Sequence, residues 1–157
     1  MQHASEQKRA SNSGRLLAQT IGATIIPYGQ KGVPFIPSSI PKDDTRLLFP
    51  EGPVDRPLTA PSNLVVIDGS WAQARKIRTR QKALRGIPTL RVEVHPTPML
   101  RKQISEGRGP TALAVAQALA LFGEANAARA IREGYQELHG LLRKNENAKK
   151  TQIGVGQ

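Results

Sequence analysis

The chemistry-bearing residues of this chain gather in one short stretch, Asp68-Gly69-Ser70-Trp71. A carboxylate, a hydroxyl and the only tryptophan of the chain stand there within four positions. The four residues before them, Leu64-Val65-Val66-Ile67, are apolar and mostly β-branched, which predicts a fully buried strand. Trp71 opens a run with helical spacing in which Trp71, Ala74, Ile77 and Leu84 fall on one face. In open α/β sheets ligands bind where a strand ends and the following helix begins. The Asp68–Trp71 turn is therefore the candidate active site.

Charge points to the partner. The 157-residue chain carries a formal charge of +11, and residues 71–108 hold ten Lys/Arg against two Asp/Glu. A basic surface beside a candidate site fits a polyanion, nucleic acid first, and a solvated basic face is the plain alternative. Arg75, Lys76 and Arg78 lie on the helix after the site, and Arg101, Lys102 and Arg108 on a Pro- and Gly-bounded loop. Either set could track phosphates. With no cysteine, disulfides and thiolate metal sites are excluded, and His3, His95 and His139 are too scattered to form a metal cluster. No apolar run is long enough to span a bilayer and no signal-peptide core opens the chain, so a cytoplasmic protein is the default.

The elements alternate. Ser11-Asn12-Ser13 offers caps for a short helix through Arg15 to Ile21, stopped by Gly22. Ala23 to Ile26 reads as a strand ended by Pro27. Tyr28 to Pro61 reads as a long loop with one apolar island, Leu47-Leu48-Phe49, that leaves room for one short strand. A strand is expected over Thr89 to Val94, then a loop, then a helix from Pro110 to about Phe122 that is apolar nearly all round and hence buried. A last helix, Glu124 to about Arg143, aligns Ile131, Tyr135, Leu138 and Leu142. This order predicts an α/β fold of three layers with a mostly parallel sheet. It forms one domain over 1–143, followed by a disordered basic tail over 144–157.

Asp68-Gly69-Ser70-Trp71 resembles the signature of the DTW-domain family, Asp, any residue, Thr, Trp, with serine keeping the hydroxyl. The likeness extends through Gln2-His3, Asn12, Gly14-Arg15-Leu16, Leu47-Leu48-Phe49-Pro50, Gln73-Ala74 and Leu100-Arg101-Lys102-Gln103. It implies a SPOUT-related fold with a knotted C-terminal part, an exception to the unknotted rule. It also implies an enzyme that transfers the 3-amino-3-carboxypropyl group of S-adenosylmethionine to N3 of a uridine in tRNA, without a metal. Two departures stand out. Pro110-Thr111-Ala112-Leu113-Ala114 puts Leu113 where the family carries a glutamate, which opens a second reading, an RNA-binding protein without catalysis. A third reading is a SPOUT-like RNA methyltransferase. A cysteine cluster and a first strand usually precede the Gln-His segment, whereas this chain opens at Met1-Gln2-His3. That predicts either a natural start upstream or marginal stability, with an apolar slot along the 64–67 strand.

On this resemblance Asp68 would take the N3 proton or hold the donor's ammonium group. The plainer role is a carboxylate bonded to backbone N–H groups at the next helix's start. A carboxylate so bonded is a weak base, which favours the ammonium role. Ser70-Trp71-Ala72-Gln73 fits a capping box, the preferred role for Ser70. Trp71 could stack on uracil or adenine, or anchor the core. Asn12 and Arg15, at a helix start, could reach the donor or substrate, and Asn12 could simply cap. Thr111 could bond the donor or cap, and Arg101 could hold the donor carboxylate.

Overall fold

The structure, a computed structural model, describes residues 1–8, 12–51, 59–94 and 110–154. Among the described residues five short strands, β1 (Gln2–His3), β2 (Pro27–Tyr28), β3 (Thr45–Leu48), β4 (Asn63–Val66) and β5 (Thr89–Leu90), pair in parallel. β3 lies between β4 and β5, and β1 pairs with β2. A bridge between Gln2 and Asp68 joins the two groups. The spatial order is therefore β2, β1, β4, β3, β5.

Among the described residues four α-helices connect and cover the strands: α1 (Ser13–Ile21), α2 (Trp71–Arg80), α3 (Thr111–Leu121) and α4 (Ala125–Gly154). Because side chains alternate along a strand, the sheet has two apolar faces. Leu48 and Leu90 pack with Leu16 and Leu17 of α1, Val115 of α3, and Ile131 and Tyr135 of α4. Leu47, Phe49, Val65 and Ile67 pack on the opposite side with Ala74 and Ile77 of α2 and with Leu84. The result is a parallel α/β arrangement with helices on both faces of the sheet. Residues 95–109, in the C-terminal part for which the resemblance implies a knot, lie outside the described residues. Among the described residues, no helix is long and apolar enough to cross a membrane.

Local signals place the helix ends as expected. Asn12 caps α1, and Gly22 ends it in the left-handed conformation at φ 67°. Several strand boundaries differ. The strand expected over Ala23–Ile26 starts instead at Pro27, where the chain meets the two-residue β1. As the outermost strand, β2 tolerates a residue with no N–H. The strand expected over Thr89–Val94 is limited to Thr89–Leu90. Its partner β3 runs into Pro50, which has no N–H to extend a ladder. The apolar island at Leu47-Leu48-Phe49, where the long loop left room for one short strand, carries the end of β3, which lies between β4 and β5.

The helices differ too. Leu84 leaves the α2 helix for a 3-10 turn, Lys82–Leu84, yet remains buried. α3 buries Ala112, Val115, Ala116 and Ala118 but leaves Leu121 62% exposed, so it is buried on one side only. α4 continues past Arg143 to Gly154, so the stretch expected to be a disordered tail is helical from Lys144 to Gly154. No proline or glycine interrupts the chain between Gly140 and Gly154.

β4 is not buried as uniformly as its sequence predicts. Val65 and Ile67 are buried, whereas Leu64 and Val66 are half-buried. Along the edge of β4 away from β3 lies an apolar slot of about 390 Å³, lined by Leu17, Ile21, Ile25, Leu64, Val66 and Leu119 among others. The backbone N–H of Asn63 points to β3, and that of Asp68 points the other way, to Met1. By alternation the amides of Leu64 and Val66 face the slot. An apolar slot along the 64–67 strand is therefore present, closed at one end by the Met1–His3 segment.

Candidate functional site

The carboxyl ends of β1 and β4 lie side by side. The Asp68 N–H donates to the Met1 carbonyl (2.8 Å), and the His3 N–H donates to the Asp68 carbonyl (2.9 Å). The helix after β1 packs on one face of the sheet and the helix after β4 on the other. This is the switch-point geometry that opens a crevice in parallel sheets. A pocket of about 230 Å³ occupies it, with Leu48, Phe49, Val66, Ile67, Ala74, Val92 and Ala114 as apolar walls. Its polar lining comes from Glu6, Ser13, Asp68 and Thr111, and Trp71 stands beside them.

Asp68 is 8% exposed and is fastened from the side of α1. Its Oδ2 accepts the Gly14 N–H (3.2 Å) and the Gln2 side-chain amide (3.1 Å). The plainer expectation, a carboxylate on helix N–H groups, is thus met by a different helix: α1 rather than α2. The same Gln2 amide donates to Asn12 Oδ1 at 2.6 Å, and that oxygen also accepts the Arg15 N–H at 2.8 Å. Asn12 Nδ2 in turn donates to the Glu6 carbonyl at 2.9 Å. Gln2, Asn12 and Asp68 therefore form one buried polar network that fixes both the start of α1 and the Ala4–Glu6 turn. Gly14 is required inside it: a Cβ there would collide with Gln2 Nε2 and lie 3.3 Å from Asp68 Oδ2.

The Met1 α-amino group donates to the Val66 carbonyl at 2.7 Å. Burial pushes it down from its ordinary 8.0 to about 6, against the attraction of the Asp68 carboxylate.

Helix starts surround the pocket. Ser13, Trp71 and Thr111 all line it and are the first residues of α1, α2 and α3. N-terminal turns carry partial positive charge and favour anionic groups. Glu6 and Asp68 line the same pocket and supply carboxylates for a cationic group, Asp68 also accepting from the first turn of α1. The pocket thus suits a zwitterion, with its anion towards the helix starts and its cation towards the two acids. Phe49 and Trp71 meet edge to face, their centroids 6.3 Å apart, and present aromatic surface at the same pocket.

Of the residues expected at the site, Asp68, Trp71 and Thr111 come together here. Ser70 does not line the pocket. It caps α2 in a reciprocal box, with its Oγ accepting the Gln73 N–H (3.4 Å) and its own N–H donating to Gln73 Oε1 (2.8 Å). Asn12 caps α1 and is buried in the network described above, and its side chain is not part of the pocket lining. The exposed Arg15 side chain donates to the Gln7 carbonyl at 3.4 Å, outside the pocket.

On α2 the basic residues divide. Lys76 is exposed, and Arg75 pairs with Glu51 at 3.8 Å on the surface. Arg78 lies 4.6 Å over the Phe49 ring and donates to the Glu51 carbonyl and Thr89 Oγ1. It clamps the wall of the pocket. Arg101, Lys102 and Arg108 lie outside the described residues. Among the described residues, no three His, Cys, Asp or Glu side chains gather as metal ligands.

Sequence reasoning missed Glu6 and Gln2 as site residues. Glu6 is 7% exposed despite lying in a polar, charged opening segment. Its only signal was an acid within the segment that begins with the Gln-His pair. Leu113, in the place of the family's glutamate, packs against the α1/α3/α4 core and does not line the pocket.

Parallel strands, helices on both faces and a two-carboxylate pocket at the strand ends define an α/β domain with a crevice at its switch point. The chain belongs to the DTW-domain family, whose pattern matches residues 1–147. This family is related to the tRNA-uridine aminocarboxypropyltransferases, and its members are associated with tRNA modification. Neither a curated protein nor a solved structure matches the chain.

Proposed function

We propose that this protein transfers the 3-amino-3-carboxypropyl group of S-adenosylmethionine to N3 of a uridine in tRNA. The observation that carries the reading is that Asp68 and Trp71 of the family signature line one pocket with Glu6 and Thr111, at the switch point of the sheet.

The donor's amino-acid end is a zwitterion, and the pocket offers complementary groups. Asp68 or Glu6 would hold the ammonium group, and the helix starts at Ser13 and Thr111 the carboxylate. The donor supplies a sulfonium leaving group, so the protein must chiefly align the reactants and remove a proton. Trp71 and Phe49 offer aromatic faces for a base. The exposed Arg75 and Lys76 on α2, with Arg101, Lys102 and Arg108, would track the tRNA backbone.

A binding protein without catalysis was suggested by Leu113. That residue packs into the core, and the pocket keeps two carboxylates without it. Incubation with tRNA and S-adenosylmethionine, followed by mass spectrometry of the nucleosides, tests the reading. An aminocarboxypropyl-uridine supports it. A methylated nucleoside supports a SPOUT-like methyltransferase instead, and binding without product supports the non-catalytic reading.

A further inference from the structure

We infer that Gln2 is the positioning residue of Asp68, holding carboxylate oxygen Oδ2 so that Oδ1 is turned to the crevice at the strand ends. The inference rests on the transferase reading above. It holds whether Asp68 meets the donor's ammonium group or the N3 proton of the uridine.

Backbone groups set the direction of the bonds in this network. Asn12 Oδ1 accepts the Arg15 N–H at 2.8 Å, so the group that Gln2 turns toward that oxygen must be a donor. Gln2 accordingly presents its nitrogen, 2.6 Å from Asn12 Oδ1 and 3.1 Å from Asp68 Oδ2. An amide NH2 carries two hydrogens, and each acceptor takes one. At the far end Asn12 Nδ2 donates to the Glu6 carbonyl at 2.9 Å, which keeps the Asn12 amide from turning over. Asp68 Oδ2 also accepts the Gly14 N–H at 3.2 Å, and two donors on one oxygen fix how the carboxylate is turned.

The two oxygens of Asp68 therefore meet different surroundings. Gln2 and Gly14 line the apolar slot and not the crevice pocket, whereas Asp68 lines both. Oδ2 is thus held on the side of the slot. Among the described residues Oδ1 accepts no hydrogen bond, and it is the oxygen left for a ligand. Gln2 is 3% exposed and Asp68 8%, so water does not readily replace the donors. An oxygen aimed before the substrates arrive needs no reorganisation during the reaction.

A double-mutant cycle on the full chain tests this. Donor binding is read by titrating S-adenosylmethionine against the fluorescence of Trp71, the only tryptophan, which lines the pocket. Turnover is read from single-turnover formation of aminocarboxypropyl-uridine in tRNA. Gln2→Met keeps the length of the side chain and removes both N–H donors. Whichever quantity Asp68→Asn lowers, Gln2→Met should lower too, by roughly 10–10²-fold. In the Asp68→Asn background the same change should cost less than about twofold more, because Gln2 acts through that carboxylate. Gln2→Asn, one methylene too short to span both acceptors, gives the same comparison if Gln2→Met does not fold. An equal factor in both backgrounds marks a structural role and overturns the inference. So does near-normal binding and turnover in Gln2→Met, or an Asp68→Asn variant in which neither quantity falls. If the unaltered protein binds S-adenosylmethionine but forms no aminocarboxypropyl-uridine, the transferase reading fails, while the binding cycle still decides the role of Gln2.

Discussion

The backbone N–H of Gly14 donates to the carboxylate of Asp68 at 3.2 Å, across 54 residues of chain. The signature acid of the site is thereby tied to the first turn of α1, and the two elements share one polar network through Gln2. Gly14→Ala should disrupt that tie, because its Cβ would overlap the Gln2 amide. A loss of about 1–3 kcal/mol is expected from such overpacking, together with weaker donor binding. Urea unfolding and calorimetry check the two effects, and an unchanged variant would show that the network yields freely.

Asp68→Asn keeps the shape and removes the charge. Turnover should fall at least 10²-fold if the carboxylate holds the donor's ammonium group, on the scale of about 3 kcal/mol for a site charge. Stability should fall by about 1–3 kcal/mol, because Gly14 and Gln2 lose an ionised acceptor. Near-normal turnover beside a lowered melting temperature would leave Asp68 a fastening role only.

Ser70→Ala should separate structure from chemistry within the signature. Loss of the capping box costs about 1 kcal/mol, visible as a lower melting temperature. Turnover should stay close to normal, because Ser70 bonds to Gln73 and does not line the pocket. A large loss of turnover at unchanged stability would place its hydroxyl in the reaction.

Arg78 and Lys76 should behave oppositely. Arg78→Ala removes the cation over Phe49 and two hydrogen bonds, so it should destabilise the fold by about 1–2 kcal/mol. Lys76→Ala should leave stability unchanged and reduce the salt dependence of tRNA binding by about one unit of slope. Binding titrations over a salt series, set beside unfolding curves, distinguish them.

The Met1 α-amino group makes the stability of this 157-residue chain depend on pH. Its folded value, about 6, lies below its ordinary 8.0, so the unfolded chain binds that proton more readily. Stability from this group is full above pH 8, falls as pH drops toward 6, and levels off below. The difference is about 2–3 kcal/mol for a shift of this size. In Asp68→Asn the attraction that holds the proton is gone, so the fall should continue to lower pH. Urea unfolding from pH 5 to 9 on both proteins measures it.

What the sequence by itself determined is local. Asn12 before α1, Gly22 after it, and the Ser70–Gln73 box are decided by hydrogen bonds spanning a few residues, so their spacing announces them. The order of the four helices and the strand-end position of Asp68 follow from periodicity in the same way. What only the tertiary structure decided depends on pairs far apart in the chain. Leu47 and Leu48 lie between β4 and β5, which pair with them on either side, whereas an apolar island in a proline-rich stretch announces at most a short strand and not its neighbours. Arg78 is a clamp because Phe49, Glu51 and Thr89 converge on it. Glu6 enters the pocket because β1 settles beside the end of β4, through bonds between residues more than 60 positions apart. A buried acid in a polar opening segment reads as solvent-facing until that pairing is known. Helix caps are written within one turn, whereas the second carboxylate exists only after the sheet has closed around it.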